Sequence, residues 1–272
     1  NGKRAFKILR ARVGTGKGIL MDSKDIYFPL FALLALAILL AGCAQDKSAG
    51  NETLNKIAES VWPTQSTAKT KLLLIGQSSP EVIGILNDNK AQITLIKLMP
   101  IDLEKSPQET IAGYDIVMLD QSEEANKEVS KKVGEAIQLF VKSGGRLIIV
   151  SDSGIKRPDT FDVVGWSNTF GNIVPVDCDR MVNNSPVCVN LILVNGKLYG
   201  VSKGHRIMQG INTYPADPTS SAIFGVLDVS VSGSEVAYIE STGIDKKQYP
   251  AIVEKNLAMG KVIYFNYNPG QT

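Results

Sequence analysis

Histidine is nearly missing from this 272-residue chain, where His205 stands alone. Zinc centres of ordinary composition draw on several His or Cys ligands. That class of site is therefore set aside, and any reaction needing an imidazole base depends on His205. Cysteine is almost as scarce, with Cys43, Cys178 and Cys188. Charge of one sign is lacking too: 29 Lys and Arg against 27 Asp and Glu leave a formal net charge of +2. Much of the basic excess lies before Met21, so the remainder has no field to hold DNA or RNA. No repeat of fixed period is visible. What the chain does have is an ordinary hydrophobic content of 44%, enough for a sizeable core and against overall disorder.

The longest apolar stretch is the uncharged run 26–43, which ends Leu40-Ala41-Gly42-Cys43 and turns polar at Gln45 and Asp46. As a helix it measures roughly 26 Å, slightly short of a hydrocarbon core of about 30 Å. This length suits a signal h-region as well as a short anchor. The ending resembles the lipobox of bacterial and archaeal lipoproteins, which implies that the Cys43 thiol receives a lipid and that everything after it is extracytoplasmic. Residues 1–25 are basic, with Lys3, Arg4, Lys7, Arg10, Arg12 and Lys17, and on the positive-inside rule stay in the cytoplasm. They read as upstream sequence or as the end of a cytoplasmic part. A start at Met21 leaves a weak n-region, Lys24 against Asp22 and Asp25. Gly14-Thr15-Gly16-Lys17-Gly18 lacks the Walker spacing, with Ala11 and Gly18 where Gly and Ser or Thr belong. Residues 44–69, polar and closing on Trp62-Pro63, read as a tether.

A folded domain is expected over 70–272. Residues 71–76, 91–98, 114–119 and 146–150 are apolar runs of strand length. Ser79-Pro80 is a helix start, and 123–143 carries Val129, Val133, Ile137, Phe140 and Val141 at the spacing of one helix face, stopped by Gly144-Gly145. Strands apolar on both faces belong in a parallel sheet covered by helices. The expected class is α/β, a flavodoxin-like parallel core extended by antiparallel strands in the C-terminal third, where 222–231, 235–241, 250–254 and 261–266 alternate with turns. Asn195-Gly196 between 189–194 and 197–201 predicts a two-residue hairpin.

Tyr114-Asp115-Ile116-Val117-Met118-Leu119 and the helix running into Gly144-Gly145-Arg146-Leu147-Ile148-Ile149-Val150 resemble the core of class I glutamine amidotransferase-like domains. Gly204-His205-Arg206-Ile207-Met208-Gln209-Gly210 and the closing segment 260–270 are similar to the non-amidotransferase branch that includes trehalose-utilisation-type proteins. Members of that branch commonly continue into another helix, so the resemblance implies that the domain runs past Thr272. In catalytic members the turn after the fourth strand is Gly-x-Cys-x-Gly, exposing a thiolate nucleophile beside an oxyanion hole. Here that turn is Val150-Ser151-Asp152-Ser153-Gly154. Asp152 takes the nucleophile position and no Cys is near, so the resemblance implies a domain without its family's catalytic residue.

Three functions remain open. The favoured one is a binding module for a carbohydrate, a cell-envelope component or an envelope protein. An extracytoplasmic hydrolase using Asp152 or Ser153 with His205 is the second, and a structural partner of a membrane complex the third. Ligand-binding candidates follow from the rule that open α/β sheets bind at the carboxyl ends of their strands: Ser78, Ser79, Asp120, Glu123, Asp152 and Ser153. This acidic edge, Glu124 included, has no calcium-loop spacing, and neither metal nor cofactor is expected. With Cys43 assigned to lipid, Cys178 and Cys188 form an even pair in an exported protein, which predicts a disulfide. Trp166, Phe161 and Phe170 are expected to pin the irregular insertion 156–188 to the sheet. Asn51 and Asn183 open glycosylation sequons by pattern alone.

Overall fold

The structure, a computed structural model, describes residues 68–155, 163–182, 184–188, 191–201 and 204–271. The apolar run, the lipobox Cys43, the tether, both sequon asparagines and Phe161 lie outside the described residues. Among those described, no helix is long and apolar enough to cross a membrane.

Five parallel strands form the core: β1 (Thr70–Ile75), β2 (Ile93–Leu98), β3 (Ile116–Leu119), β4 (Arg146–Val150) and β15 (Gly260–Phe265). They are ordered β2-β1-β3-β4-β15, each parallel to its neighbours. This is the flavodoxin order 2-1-3-4-5. Leu72 to Ile75, all of β3 and Leu147 to Val150 are buried, as both-face burial requires of such strands. Helix α1 (Pro80–Asp88) starts where expected: Ser79 Oγ accepts from Val82 N at 3.3 Å, and Pro80 needs no donor there. Short helices α2 (Pro100–Leu103) and α3 (Pro107–Ile111) lead into β3.

Helix α4 (Lys131–Lys142) begins eight residues later than the periodicity of 123–143 suggests, capped by Ser130 Oγ on Val133 N at 3.2 Å. Residues 120–128 are held otherwise. Asp120 Oδ1 accepts from Ser122 N at 3.0 Å, Lys127 Nζ donates to Gln121 O at 2.8 Å, and Glu128 bridges Gly154. These contacts occupy the groups a helix would need. Val133, Ile137 and Val141 then bury on one face of the sheet with Leu73, Val117, Ile149 and Tyr264.

The insertion contributes β5 (Val163–Val164), α5 (Ser167–Phe170), β6 (Val176–Cys178), β7 (Arg180–Val182) and β8 (Ser185–Cys188). Trp166 and Phe170 are fully buried in the same cluster as Val133, Ile137 and Val141, so these aromatics do pin the insertion. Cys178 and Cys188 form a disulfide with Cα atoms 4.7 Å apart. Closing so short a loop is worth about 3 kcal/mol in the chain-entropy model. Urea unfolding with and without reductant is expected to differ by that amount, and an unchanged midpoint would show that the bridge does not constrain the unfolded chain.

Antiparallel strands complete the sheet: β9 (Ile192–Gly200), β10 (Thr213–Tyr214), β11 (Ala222–Val226), β13 (Ser234–Ser241) and β14 (Gln248–Leu257). β14 pairs β15, β13 pairs β14, and β9 pairs β13, β10 and β11. The separate β12 (Val229–Val231) pairs β6. The expected hairpin at Asn195-Gly196 is absent, because β9 runs straight through it. Asn195 pairs Ile223, while Gly196 pairs Ala222 on one side and Ser241 on the other. A Cβ at Gly196 would come within 2.5 Å of Glu240 O. The glycine serves a close approach of two backbones rather than a turn.

Candidate functional site

The loops after β1, β3 and β4 meet at one edge of the sheet. Ser78 Oγ donates to the Asp120 carboxylate, which is fully buried. Burial raises the Asp120 pKa above the ordinary carboxylate value, against the lowering by hydrogen bonds from Ser78 and Ser122 and the charge of Lys127. A raised folded pKa means stability that is fully present below the unfolded value of about 3.9 and is lost as pH rises through the folded one. Asp120→Asn, whose amide can donate to Ser78 Oγ and whose oxygen can accept from Ser122 N, is therefore expected to be more stable than wild type at pH 7, by about 1 kcal/mol. The advantage should vanish below pH 4 in pH-dependent thermal unfolding. A wild type that outlasts the variant at pH 7 would overturn the assignment.

The turn after β4 has the bend of an elbow, but one residue earlier than the resemblance placed it. Ser151 is the left-handed residue, with φ 51°, and its N–H donates to Phe265 O at 2.7 Å. Asp152, 1% exposed, makes an ion pair of 3.0 Å with Lys127 Nζ. Ser153 is a turn former: its Oγ accepts from Gln121 N at 2.8 Å and its carbonyl from Trp166 Nε1 at 2.9 Å. Gln121 Oε1 in turn accepts from Gly154 N at 2.9 Å. A fully buried hydroxyl held this way has no opening to a substrate.

The remaining candidates divide. Ser79 is spent on the α1 cap, and Ser78 on Asp120. The exposed Glu123 contributes its backbone N–H to Gln77 O at 3.0 Å, while Glu124 Oε1 accepts from Gln77 N at 2.7 Å. Asp120, Asp152 and Glu124 are thus held by partners within the protein, and no group of three or more metal-ligating side chains occurs among the described residues.

His205 is not brought to the elbow. Its Nδ1 accepts from Ile207 N at 3.3 Å, and its Nε2 lies 3.4 Å from Glu254 Oε2. Glu254 is in register with Ile263, and Ile263 with Ile148. Ile148 is four residues, or roughly 13 Å of strand, before Asp152. His205 therefore sits toward the amino-terminal edge, with both ring nitrogens engaged, and Asp152 and Ser153 have no imidazole base.

What the fold does assemble is a pocket of about 230 Å³ at the carboxyl edge. Lys127, Ser151 and Asp152 line its polar side, and Leu193 and Ile223, 77% and 62% exposed, its apolar side. Asn268, from the segment after β15, closes it. Asn268 is 9% exposed; its Oδ1 accepts from Gly270 N at 2.9 Å, but its Nδ2 has no acceptor among the described residues. Buried amides are rarely left so. Sequence reasoning missed Lys127, Ser151 and Asn268. Only the elbow alignment could have raised Ser151; the partner of Lys127 is 25 positions away, and Asn268 stands in what reads as a closing strand.

No protein-family model and no curated protein matches the chain. Solved structures do. The cytoplasmic protein STM3548 from Salmonella typhimurium is similar at TM-score 0.47 and 14% identity, over 72% of this chain and 86% of that one. A ThuA-like protein from Bacteroides uniformis is similar at TM-score 0.46 and 12% identity, over 76% and 85%. A β-galactosidase from Bacillus circulans sp. alkalophilus gives TM-score 0.45 and 14% identity over 73% of this chain, which spans 28% of the enzyme's length. At such distances no activity passes from these proteins to this chain.

Proposed function

We propose that the chain is a membrane-tethered, extracytoplasmic binding module of the amidotransferase-like type, which takes a small polyhydroxylated ligand, a carbohydrate unit of the cell envelope, at the carboxyl-edge pocket. The observation that carries this reading is the Nδ2 of Asn268, without an acceptor among the described residues, in a pocket that pairs hydrogen-bonding groups with an apolar wall. A sugar presents hydroxyls to the first and C–H faces to the second. The volume is below the roughly 300–1,000 Å³ of sites for drug-sized ligands, which points to one sugar ring. Support for the tether comes from the apolar run 26–43 with its lipobox-like ending, and support for the compartment from the Cys178–Cys188 disulfide. The hydrolase reading is weakened by the missing base.

The test is calorimetric titration of the detergent-solubilised full chain with hexoses and N-acetylhexosamines. Saturable heat is expected, with affinity about tenfold lower in Asn268→Ala, the scale of one hydrogen bond, and unchanged in Glu123→Gln. Turnover of a glycoside or ester that stops in Ser151→Ala would overturn the binding reading in favour of a hydrolase. Heat that ignores Asn268 would remove the pocket from it.

A further inference from the structure

The carboxyl-edge pocket holds a second buried polar atom of the same kind as Asn268 Nδ2. The Oγ of Ser122, in the loop after β3, is buried and makes no hydrogen bond of ordinary geometry among the described residues. Ser122 and Asn268 line the same pocket. The two atoms differ in what they can offer. Gly270 N donates to Asn268 Oδ1 at 2.9 Å, which orients the amide and leaves Nδ2 as a donor. Ser122 stands beside Asp120: burial raises that carboxyl's pKa, and the Ser122 side chain works against the rise. Its hydroxyl hydrogen therefore turns toward Asp120, and the oxygen is left as an acceptor.

The apolar side of the pocket has a gap the size of one methyl group. Gly225 in β11 is in register with Leu193 in β9, and both line the pocket with Leu191. A Cβ at Gly225 would meet Leu191 Cδ2 and Leu193 Cδ2, each at 3.9 Å, an ordinary contact. One donor, one acceptor and a methyl-sized hollow are the complement of an acetamido group. We infer that the pocket takes the acetamido group of an N-acetylated amino sugar, its carbonyl on Asn268 Nδ2, its N–H on Ser122 Oγ and its methyl at Gly225. This names the ligand class of the proposed sugar site and rests on that reading. A plain hexose leaves the hollow empty and one of the two polar atoms unpaired, which is costly. At the roughly 30 Å³ a water occupies in the liquid, the cavity of about 230 Å³ holds about eight heavy atoms. That is room for the acetamido group and the ring edge that bears it. The rest of the ring lies at the mouth, against the exposed Leu193 and Ile223.

Calorimetric titration of the detergent-solubilised full chain with N-acetylglucosamine and with glucose is the test. N-acetylglucosamine is expected to bind at least about tenfold tighter, the scale of one hydrogen bond and a buried methyl. Gly225→Ala puts a methyl where the ligand's would go, in a strand where alanine meets no clash. It should cut the ratio of the two affinities to about threefold or less, and Ser122→Ala should do the same by removing the acceptor. Equal affinity for the two sugars would overturn the inference and leave the sugar-binding reading standing, whereas no saturable heat from either would sink both. A ratio that Gly225→Ala leaves at its wild-type value would also overturn it. So would Nε-acetyl-lysine binding as tightly as N-acetylglucosamine, which would give the pocket to acetylated side chains. If the variants fail to fold, the comparison of the two sugars on wild type decides alone.

Discussion

Lys127→Met is expected to destabilise the domain by about 4 kcal/mol, the usual scale for leaving one member of a buried ion pair behind. Lys127 and Asp152 are both almost wholly buried and 3.0 Å apart, and the ammonium also donates to Gln121 O at 2.8 Å. Methionine keeps the length of the side chain but supplies none of these bonds. The carboxylate of Asp152 then loses the charge of Lys127 while only 1% exposed, which is costly. Asp152→Asn in the same background should recover part of the loss, since a neutral amide is cheaper to bury. Urea denaturation of the four proteins of this double-mutant cycle measures the coupling. A cost below about 1 kcal/mol for Lys127→Met would mean that the pair is hydrated, and a hydrated floor would undermine the carboxyl-edge pocket as a ligand site.

The second large effect is expected at Trp166. Its ring is fully buried and meets Tyr264 edge to face, with centroids 5.2 Å apart and planes at 71°. Its Nε1 reaches back to the carbonyl of Ser153 in the elbow at 2.9 Å. Trp166→Ala removes the aromatic volume, the edge-to-face contact and that hydrogen bond together, for about 4 kcal/mol. Trp166→Phe keeps most of the packing and strands the Ser153 carbonyl, for about 1–2 kcal/mol. Because the bond ends on the elbow, both variants should also weaken ligand binding at the adjacent pocket, by calorimetry under conditions where each remains folded. If Trp166→Ala unfolds at the wild-type midpoint, the insertion is not anchored there.

The parallel core was legible because its evidence is local. Leu72 to Ile75 and Leu147 to Val150 are apolar without interruption, and runs this short with Gly76 or Gly144-Gly145 beside them fit strands buried on both faces. Ser79-Pro80 likewise marks a helix start through chemistry confined to four residues. Asn195-Gly196 was equally local and gave the wrong element: the pull toward a turn was outweighed by strand pairing on both sides, with Ile223 and Ala222 in one strand and Ser241 in another. The candidate site failed to show for a related reason. His205 was linked to Asp152 through a family motif, yet chain order does not say which edge of a sheet a loop returns to. Lys127 gains meaning only beside Asp152, and Asn268 only beside the mouth formed by β9 and β11.

The strand order has a consequence in time. β15 occupies the middle of the nine-strand path, between β14 and β4, yet it is made of residues 260–265. A ribosome delivers β1 to β4 long before the strand that must sit beside β4, so the sheet's two halves cannot join until residues 260–265 have emerged. Contacts of such long sequence separation close slowly. A nascent chain of this topology stays open during synthesis, with its apolar strands available to chaperones and its backbone still threadable. The late central strand thus sets the moment at which the sheet can close.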